Sequence, residues 1–551
     1  MSSQSPPPLP SLRHLGHLSR REFLAASSAS AAALVLAPQR AVAIPARSRL
    51  AVNSFADPIL TPDELRAFAR AAMETATQEG AQFADIRIGD LREYIPAGVG
   101  SPGRLWFKFG YGVRARVNGR EAFVGSADPT RDGVIRATRT AVATARGLGA
   151  ISGPTLPFAQ VPVVTGEWKS PVKIDPFEVS PDDHVYVRLG YNTWNRHTGV
   201  TIFSGFHWQN EIRVFASTEG SLTTQHMTRV LPFASVDFSS WRMFTLRTWY
   251  HLPWFVPQTA GFEAILGPER HNQLEAAIDD MAELATYPVG KAEVGRRDVV
   301  LDGTALAEVL AVTVTPSVSV GRILGEEQNS GGVSFLAPIE SAIGQKIGSP
   351  VLNVWVEQGA PHYGAAQWDD EGVATTAFPL VEHGKVSNLL ATRANVAALT
   401  QGTGQPALPR GSAFAADLMA VPGARPGTLA VRAAGNGPSL AELTKTLGDG
   451  YVIRDAWMQM DQQASSGTLN PYLMFEVKRG KIVRRAPNGR IDFVTKKFLG
   501  AITALGGESS VGPGHNTIDG GLPWSQSHNV ITAPAAYVRD ATIVSSALSV
   551  G

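Results

Sequence analysis

Trp368–Arg393 reads W-D-D-E-G-V-A-T-T-A-F-P-L-V-E-H-G-K-V-S-N-L-L-A-T-R. Three adjacent carboxylates, Asp369, Asp370 and Glu371, open it and are followed by Gly372. Two apolar runs come next, Val373–Val381 and Val386–Thr392, joined by Glu382-His383-Gly384-Lys385. His383-Gly384 suits a tight turn, because Gly accepts positive φ freely and His tolerates it better than most residues. The stretch therefore predicts an acidic loop leading into a β-hairpin. Asp369, Asp370 and Glu371 could take a cation through oxygen ligands. The simpler expectation is an acidic turn that caps strand ends on a solvated face.

Upstream, Thr61-Pro62-Asp63-Glu64 is a strong helix start, with Thr as N-cap, Pro at the first helical position and Glu three residues after the cap. That helix should run to about Gly80. Ala84–Asp90 alternates as a strand, and Leu105–Val113 with Ala122–Gly125 flanks the hairpin signal Asn118-Gly119. Asp128–Gly147 reads as a second helix with Val134, Ala137, Ala141 and Ala145 on one side. Ser180-Pro181-Asp182-Asp183 caps another. From Gly199 to His251 the alternation predicts antiparallel sheet, with turns at Gln209-Asn210 and Glu219-Gly220. Its aromatics, among them Phe206, Trp208, Trp241 and Trp249, read as core or interface. Pro268–Thr286 is a helix, and the composition changes at Tyr287–Arg297. Downstream the chain is strand-rich: Val351–Val356, Gly427–Ala433, Tyr451–Gln459, Tyr472–Val477 with Lys481–Arg485, and Ala536–Val544. The expected fold class is α+β in two domains. The first, 61–290, carries helix, hairpin, helix and antiparallel sheet; the second, 291–551, is β-rich with a large mixed or antiparallel sheet.

A chain of 551 residues is too long for one ordinary core. Hydrophobic content of 44% with 18% charged residues fits a folded globular protein. Net charge is +1 and no long basic run occurs, so nucleic acid is not an expected partner. The chain has no cysteine, which removes disulfides, thiolate metal ligands and cysteine nucleophiles. Residues 1–43 read as a targeting segment. Ser19-Arg20-Arg21-Glu22-Phe23-Leu24 resembles a twin-arginine export signal, an Ala/Ser-rich run follows, and Ala41-Val42-Ala43 fits a cleavage site. The expectation is export to the periplasm, with 44–60 as linker. The segment carries four Arg and one Glu, so its removal takes the net charge from +1 to about −2. No other stretch reaches about 18 apolar residues, so no integral membrane segment is expected in the mature protein.

Four phrases then carry a resemblance: D-D-E-G-V at 369–373, V-V-L-D-G at 299–303, I-D-P-F at 174–177 and G-V-R-A-R-V-N-G at 112–119. Their order and spacing resemble the TldD/PmbA family, two-subunit metallopeptidases also called modulators of DNA gyrase. The resemblance runs from about Thr61 to Val544. It implies a dimer, of like chains or with a family member, enclosing a cavity for unfolded or extended peptides. Strand addition to a sheet edge is the usual way to hold such peptides.

In the family's metal-binding half, a helix after V-V-L-D-G carries H-E-x-x-x-H and a C-terminal glycine-rich loop supplies a cysteine. Two imidazoles on one helical face with a third ligand hold zinc, and the Glu serves its water as base. Here that segment is Leu310-Ala311-Val312-Thr313-Val314-Thr315-Pro316-Ser317. The motif's histidines fall near Ala311 and Pro316, and its glutamate near Val312. No histidine lies between His271 and His362. The β-branched run and Pro316 also disfavour a regular helix. His515, in Gly512-Pro513-Gly514-His515, stands near the cysteine position. No cofactor is expected, and zinc only by the family's pattern.

Three readings follow. The chain is a zinc-less, PmbA-like subunit or pseudo-peptidase in a peptide-processing dimer; or an active peptidase with a rebuilt site; or an exported peptide-binding scaffold without catalysis. Candidates for a rebuilt site are Asp369, Asp370, Glu371 and His515. Glu326-Glu327 and His362 read as surface, and His515, Asp519, Ser525, Ser527 and His528 lie too close in sequence to signal a triad.

Overall fold

Thr61 caps α1 (Pro62–Gln78) with a full capping box, in which its hydroxyl accepts the Glu64 N–H and the Glu64 carboxylate accepts the Thr61 N–H at 2.9 Å. This is a computed structural model, and it describes residues 58–95, 104–149, 158–180, 183–184, 201–237, 250–251, 256–266, 268–328, 332–404, 406–433, 435–514, 519–520, 525–526 and 530–545. The expected export segment, Trp241, Trp249, His515, Ser527 and His528 lie outside the described residues.

After α1 come β1 (Phe83–Ile95), β2 (Arg104–Val117), β3 (Arg120–Ser126), α2 (Arg131–Leu148), β4 (Thr165–Lys169), β5 (Thr201–Ser217), β6 (Leu222–Asp237) and β7 (Tyr250–His251). They form one sheet in the order β3-β2-β1-β5-β6-β4, with β7 also on β6. Every pairing is antiparallel except β4 with β6. Asn118 and Gly119 both have positive φ, 51° and 72°, the turn that the Asn-Gly pair predicts. Period-two alternation splits the sheet into two faces. Ile86, Ile88, Tyr111, Val113, Ile212 and Val214 pack with α1 and α2 in one apolar cluster. Asp85, Arg87, Arg114, Glu211 and Arg213, the residues in between, occupy the other face; the first four are buried and Arg213 is half-buried.

The expected turn at Gln209-Asn210 does not exist, because β5 runs straight through it. Both amides have ladder neighbours to bond: Gln209 donates to Glu93 at 2.7 Å, and Asn210 accepts from Arg92 at 2.8 Å. Those partners outweigh the local turn preference of Asn. The turn at Glu219-Gly220 is where the sequence puts it, and Trp208 and Phe206 are core. Ser180 caps a following turn by accepting the Asp183 N–H at 3.2 Å.

The chain continues through α3 (Pro268–Thr286), β8 (Gly295–Leu301), α4 (Gly303–Ser317), α5 (Val320–Ile323), β9 (Val354–Glu357), β10 (Phe378–Glu382), β11 (Lys385–Val386), α6 (Val396–Thr403), β12 (Ala413–Phe414), β13 (Gly423–Ala424), β14 (Thr428–Val431) and α7 (Leu440–Leu447). It ends with β15 (Gly450–Met460), β16 (Ser466–Lys478), β17 (Lys481–Arg485), β18 (Gly489–Val494), α8 (Thr495–Gly500), β19 (Ile502–Leu505), β20 (Gly512–Pro513), β21 (Asp519–Gly520), β22 (Ser525–Gln526), β23 (Val530–Ala533) and β24 (Ala536–Ser545). One mixed sheet runs β11-β10-β9-β14-β23-β20. The other runs β15-β8-β24-β18-β16-β17, and β15 also pairs β16, so five of its strands close into a ring. The fold is α+β with a strand-rich C-terminal part, as expected.

Two local expectations differ. The run Val373–Val381 is strand only from Phe378. Its first half turns back on itself instead: Asp369 N donates to Val373 O at 2.9 Å, and Thr375 N to Gln367 O at 3.1 Å. His383-Gly384 does form the hairpin turn, with φ of 48° and 73°. The segment around Ala311 and Pro316 is a regular helix, α4, despite its β-branched residues. It is almost wholly buried between β15, β23 and β20, and that tertiary burial overrides a propensity deficit of tenths of a kcal/mol per residue. Its hydroxyls bond back to the preceding turn, Thr313 to Val309 O and Ser317 to Thr313 O, both at 2.6 Å. Pro316 stands in the last turn and lacks the N–H that would bond the Val312 carbonyl.

Candidate functional site

The acidic triplet is not on a solvated face. Asp369, Asp370 and Glu371 are 2%, 3% and 0% exposed. They lie against the charged face of the N-terminal sheet, and the reason is that each meets an arginine or a backbone donor there. Arg114 of β2 joins Asp85 of β1 to Glu371. Arg213 of β5 joins Glu211 to Asp370, and Arg87 of β1 approaches Asp370 at 3.3 Å. Arg229 of β6 holds the other oxygen of Glu211 at 3.0 Å. Glu371 also accepts the Arg393 N–H at 2.6 Å, and the Arg393 guanidinium binds Glu219 at 2.8 Å. Arg393 is stacked over Phe158 and Phe83, with its centre 4.3 and 5.0 Å from the ring centroids.

Asp369 works locally. Its Oδ1 accepts the N–H groups of Glu371 and Val373, both at 2.9 Å, and its Oδ2 accepts that of Ala413 at 3.0 Å. Burial, and then the neighbouring Glu371 carboxylate, push Asp369 well above the ordinary carboxylate range, although its three backbone donors pull the other way. Gly372 takes φ 76° to close the turn, and a Cβ there would stand 2.3 Å from the Phe215 ring. Each of the six oxygens of the triplet therefore has a partner. A cation could enter only by displacing guanidinium or backbone donors, so the chemistry of this place is a lock between β-sheet and loop.

The same face takes a second C-terminal segment. Arg87 donates to the carbonyls of Asp417, Leu418 and Ala420 at 2.9, 3.0 and 2.7 Å. The sheet is cut away beneath it by glycine: a Cβ on Gly125 would stand 2.3 Å from Met419 O.

The helix α4 is the other candidate. Gly303 starts it where a Cβ would meet Ala533 O, Gly512 N and Ser510 O, each at 2.4 Å, so the glycine-rich loop before residue 515 lies on its first turn. Gly514 lies over Ala307. Among the residues of α4, only Val312 and Pro316 are partly exposed, and they are one turn apart on one strip. Pro316 has no N–H for the Val312 carbonyl. Ala311, beside them, is 4% exposed. None of these side chains can bind a metal, so the donors present do not fit zinc. Among the described residues, no group of three or more His, Asp or Glu side chains is arranged to hold a metal ion.

Sequence reasoning passed over two carboxylates on this helix, Asp302 at its N-cap and Glu308, which is 1% exposed and one turn before Val312 on the same strip. The available signal was a lone glutamate inside the otherwise apolar run Ala305–Val312. Of the remaining candidates, Glu326 is exposed, and Glu327 lies 3.7 Å from Arg322. His362 is half-buried in a turn, its carbonyl accepting the Thr259 hydroxyl at 2.8 Å. Asp519 and Ser525 stand at neighbouring register positions of the short β21–β22 ladder, which pairs Asp519↔Gln526 and Gly520↔Ser525. No helix among the described residues is long and apolar enough to cross a membrane.

Residues 294–545 match the family described as the PmbA/TldA metallopeptidase C-terminal domain. No curated protein matches the chain. Three solved structures share its fold at low identity. A protein described as a modulator of DNA gyrase from Thermotoga maritima is 15% identical, with 87% of this chain and 99% of that one covered and a TM-score of 0.63. Another so described, from Bacteroides thetaiotaomicron, is 13% identical over 88% and 99%, with a TM-score of 0.64. TldE from Thermococcus kodakarensis is 13% identical over 87% and 100%, with a TM-score of 0.63.

Proposed function

The chain belongs to the PmbA/TldD family, and from that premise we propose that it is a zinc-less subunit of an exported peptide-processing assembly, which shapes a peptide-binding cavity and leaves hydrolysis to a metal-binding partner. The observation that carries this reading is the open strip of α4. Where the family's catalytic subunits place imidazole and carboxylate, this chain presents Val312 and Pro316 beside buried Ala311. A helix that buries its remaining positions cannot turn another face outward without losing its core. Purified mature protein then holds no stoichiometric zinc and, alone, leaves unstructured peptides intact. One tightly held zinc per chain, with cleavage that a chelator abolishes, would overturn the proposal.

Glu308 supports a second reading, an active peptidase with a rebuilt site. It is a buried carboxylate one turn from Val312 on the open strip. Peptide cleavage by the chain alone that is lost in a folded Glu308→Gln variant would select this reading. A chain that binds extended peptides and associates with no partner would instead be a scaffold.

A further inference from the structure

Two buried aspartates, Asp302 and Asp455, are joined at the first turn of α4. Asp302 caps the helix, and its Oδ1 accepts the Ala305 N–H at 2.8 Å. The same oxygen accepts the N–H of Asp455, from β15, at 3.1 Å. Asp302 N in turn donates to Ile453 O at 2.9 Å, so one residue ties the helix start to the strand. Its second oxygen, Oδ2, is buried and makes no hydrogen bond. Asp455 is 0% exposed and has φ 55°. It interrupts the β15–β16 ladder, which pairs Arg454 with Leu473 and then Ala456 with Pro471. The register is the same on both sides of it, so Asp455 stands opposite Tyr472 without ladder pairing, its carboxylate buried. Asp455 Oδ1 accepts the Ala456 N–H at 2.8 Å.

The charged and titratable groups around the pair are few. Arg454 on β15 is held by Asp280 of α3. Glu308 lies further along α4, and Tyr472 on β16 is raised by burial and then by Asp455 and Glu308. Of the other strands packed on α4, β20 and β23 carry no charged residue, β8 carries Arg296, Arg297 and Asp298, and β21 carries Asp519. An ionised carboxylate with one dry oxygen, next to a second carboxylate, is costly.

We propose that Asp302 and Asp455 form a carboxyl pair that holds one proton inside the fold and so ties the seating of α4 on β15 to pH. The proton resides on Asp302 Oδ2, which leaves Oδ1 free to keep both backbone bonds. Burial raises Asp302 to about 7; the Ala305 N–H opposes this, and the charge of Asp455 adds to it. Because the folded value lies above the unfolded one, the folded state keeps a proton between about pH 4 and 7 that the unfolded chain has lost. The stabilisation from this proton is complete below about pH 4 and is lost as pH rises through about 7. Within that window the pair lowers the folding constant by up to about tenfold per pH unit.

The test is infrared spectroscopy of the full chain across pH, with hydrogen exchange at Ala305 and Leu306. A protonated-carboxyl band is expected at pH 6 that titrates away near pH 7 and is missing in Asp302→Asn. In Asp455→Asn, which retains the backbone bond to Asp302, the midpoint should fall. First-turn amides should exchange faster at pH 8 than base catalysis alone explains. Should Asp302→Asn fail to fold, the wild-type titration and its shift in Asp455→Asn decide the matter. No titrating band in the wild type, or a band with unchanged midpoint in the variants that fold, would overturn the proposal. Metal content and peptidase activity do not enter these readouts, so the result is independent of the proposed function.

Discussion

Glu211 and Glu371 are both buried, and each is paired with arginine. Burial raises Glu211, but Arg213 and Arg229 outweigh it and hold the carboxyl at about 2. Its folded value is depressed, so its contribution to stability is present above about pH 4.5 and is lost as pH falls toward 2. Acid unfolding of Glu211→Gln should therefore be flatter over that window than that of the wild type, with the lost stability showing at neutral pH. An unchanged acid limb would mean that the two arginines are not paired with Glu211 in solution. Glu371 is the joint between loop and sheet, facing Arg114 on one side and the Arg393 backbone on the other. Replacing it by Gln leaves the Arg114 charge, 2% exposed, with only Asp85. Breaking a buried pair from one side costs about 3–5 kcal/mol. Urea unfolding of Glu371→Gln should show a loss of that order, whereas an exposed pair such as Arg136–Asp128 should show about 0–1 kcal/mol on removal.

At the level of elements, what the sequence makes legible is whatever local chemistry decides. The capping box of α1, the Asn118-Gly119 turn and the His383-Gly384 turn each form where their residues require them. What was not legible was decided by partners distant in sequence. Gln209 and Asn210 look like a turn until Glu93 and Arg92 are placed beside them. Val312, Thr313, Val314 and Pro316 look unfit for a helix until α4 is enclosed by two sheets. The acidic triplet looks solvated because its arginines come from β1, β2 and β5, more than 150 residues upstream. The strand glycines were equally silent. Gly125 matters only because residues 417–420 lie on β3 and its neighbours. A methyl group there would meet Met419 O at 2.3 Å, a backbone atom that cannot swing away. Gly125→Ala should thus destabilise by about 1–3 kcal/mol, the range for overpacking a filled site. A thermal shift within error of the wild type would show that the 417–420 segment does not rest on the sheet.

For the molecule as a whole, the question is whether a chain with Ala311, Val312 and Pro316 at the open strip of α4 works by itself. Peptide hydrolysis at neutral pH needs an activated nucleophile, and in a metallopeptidase that is the metal-bound water. Here Ala311, Val312 and Pro316 supply neither ligand nor base, and the acidic triplet is fully engaged with arginine and backbone donors. If the chain serves peptide processing as a zinc-less subunit, the metal comes from another subunit. Sedimentation velocity of the mature protein should then show association, with itself or with a co-exported family member. Cleavage of an unstructured peptide should appear only in the mixed complex and vanish with a chelator. In that complex, substituting Asp370 to Asn should act through folding, lowering the melting temperature and activity together. A drop in activity at unchanged melting temperature would instead place the triplet in the chemistry. Exclusive monomers at all concentrations, with no partner recovered, would remove the shared-cavity reading and leave a stand-alone binding protein.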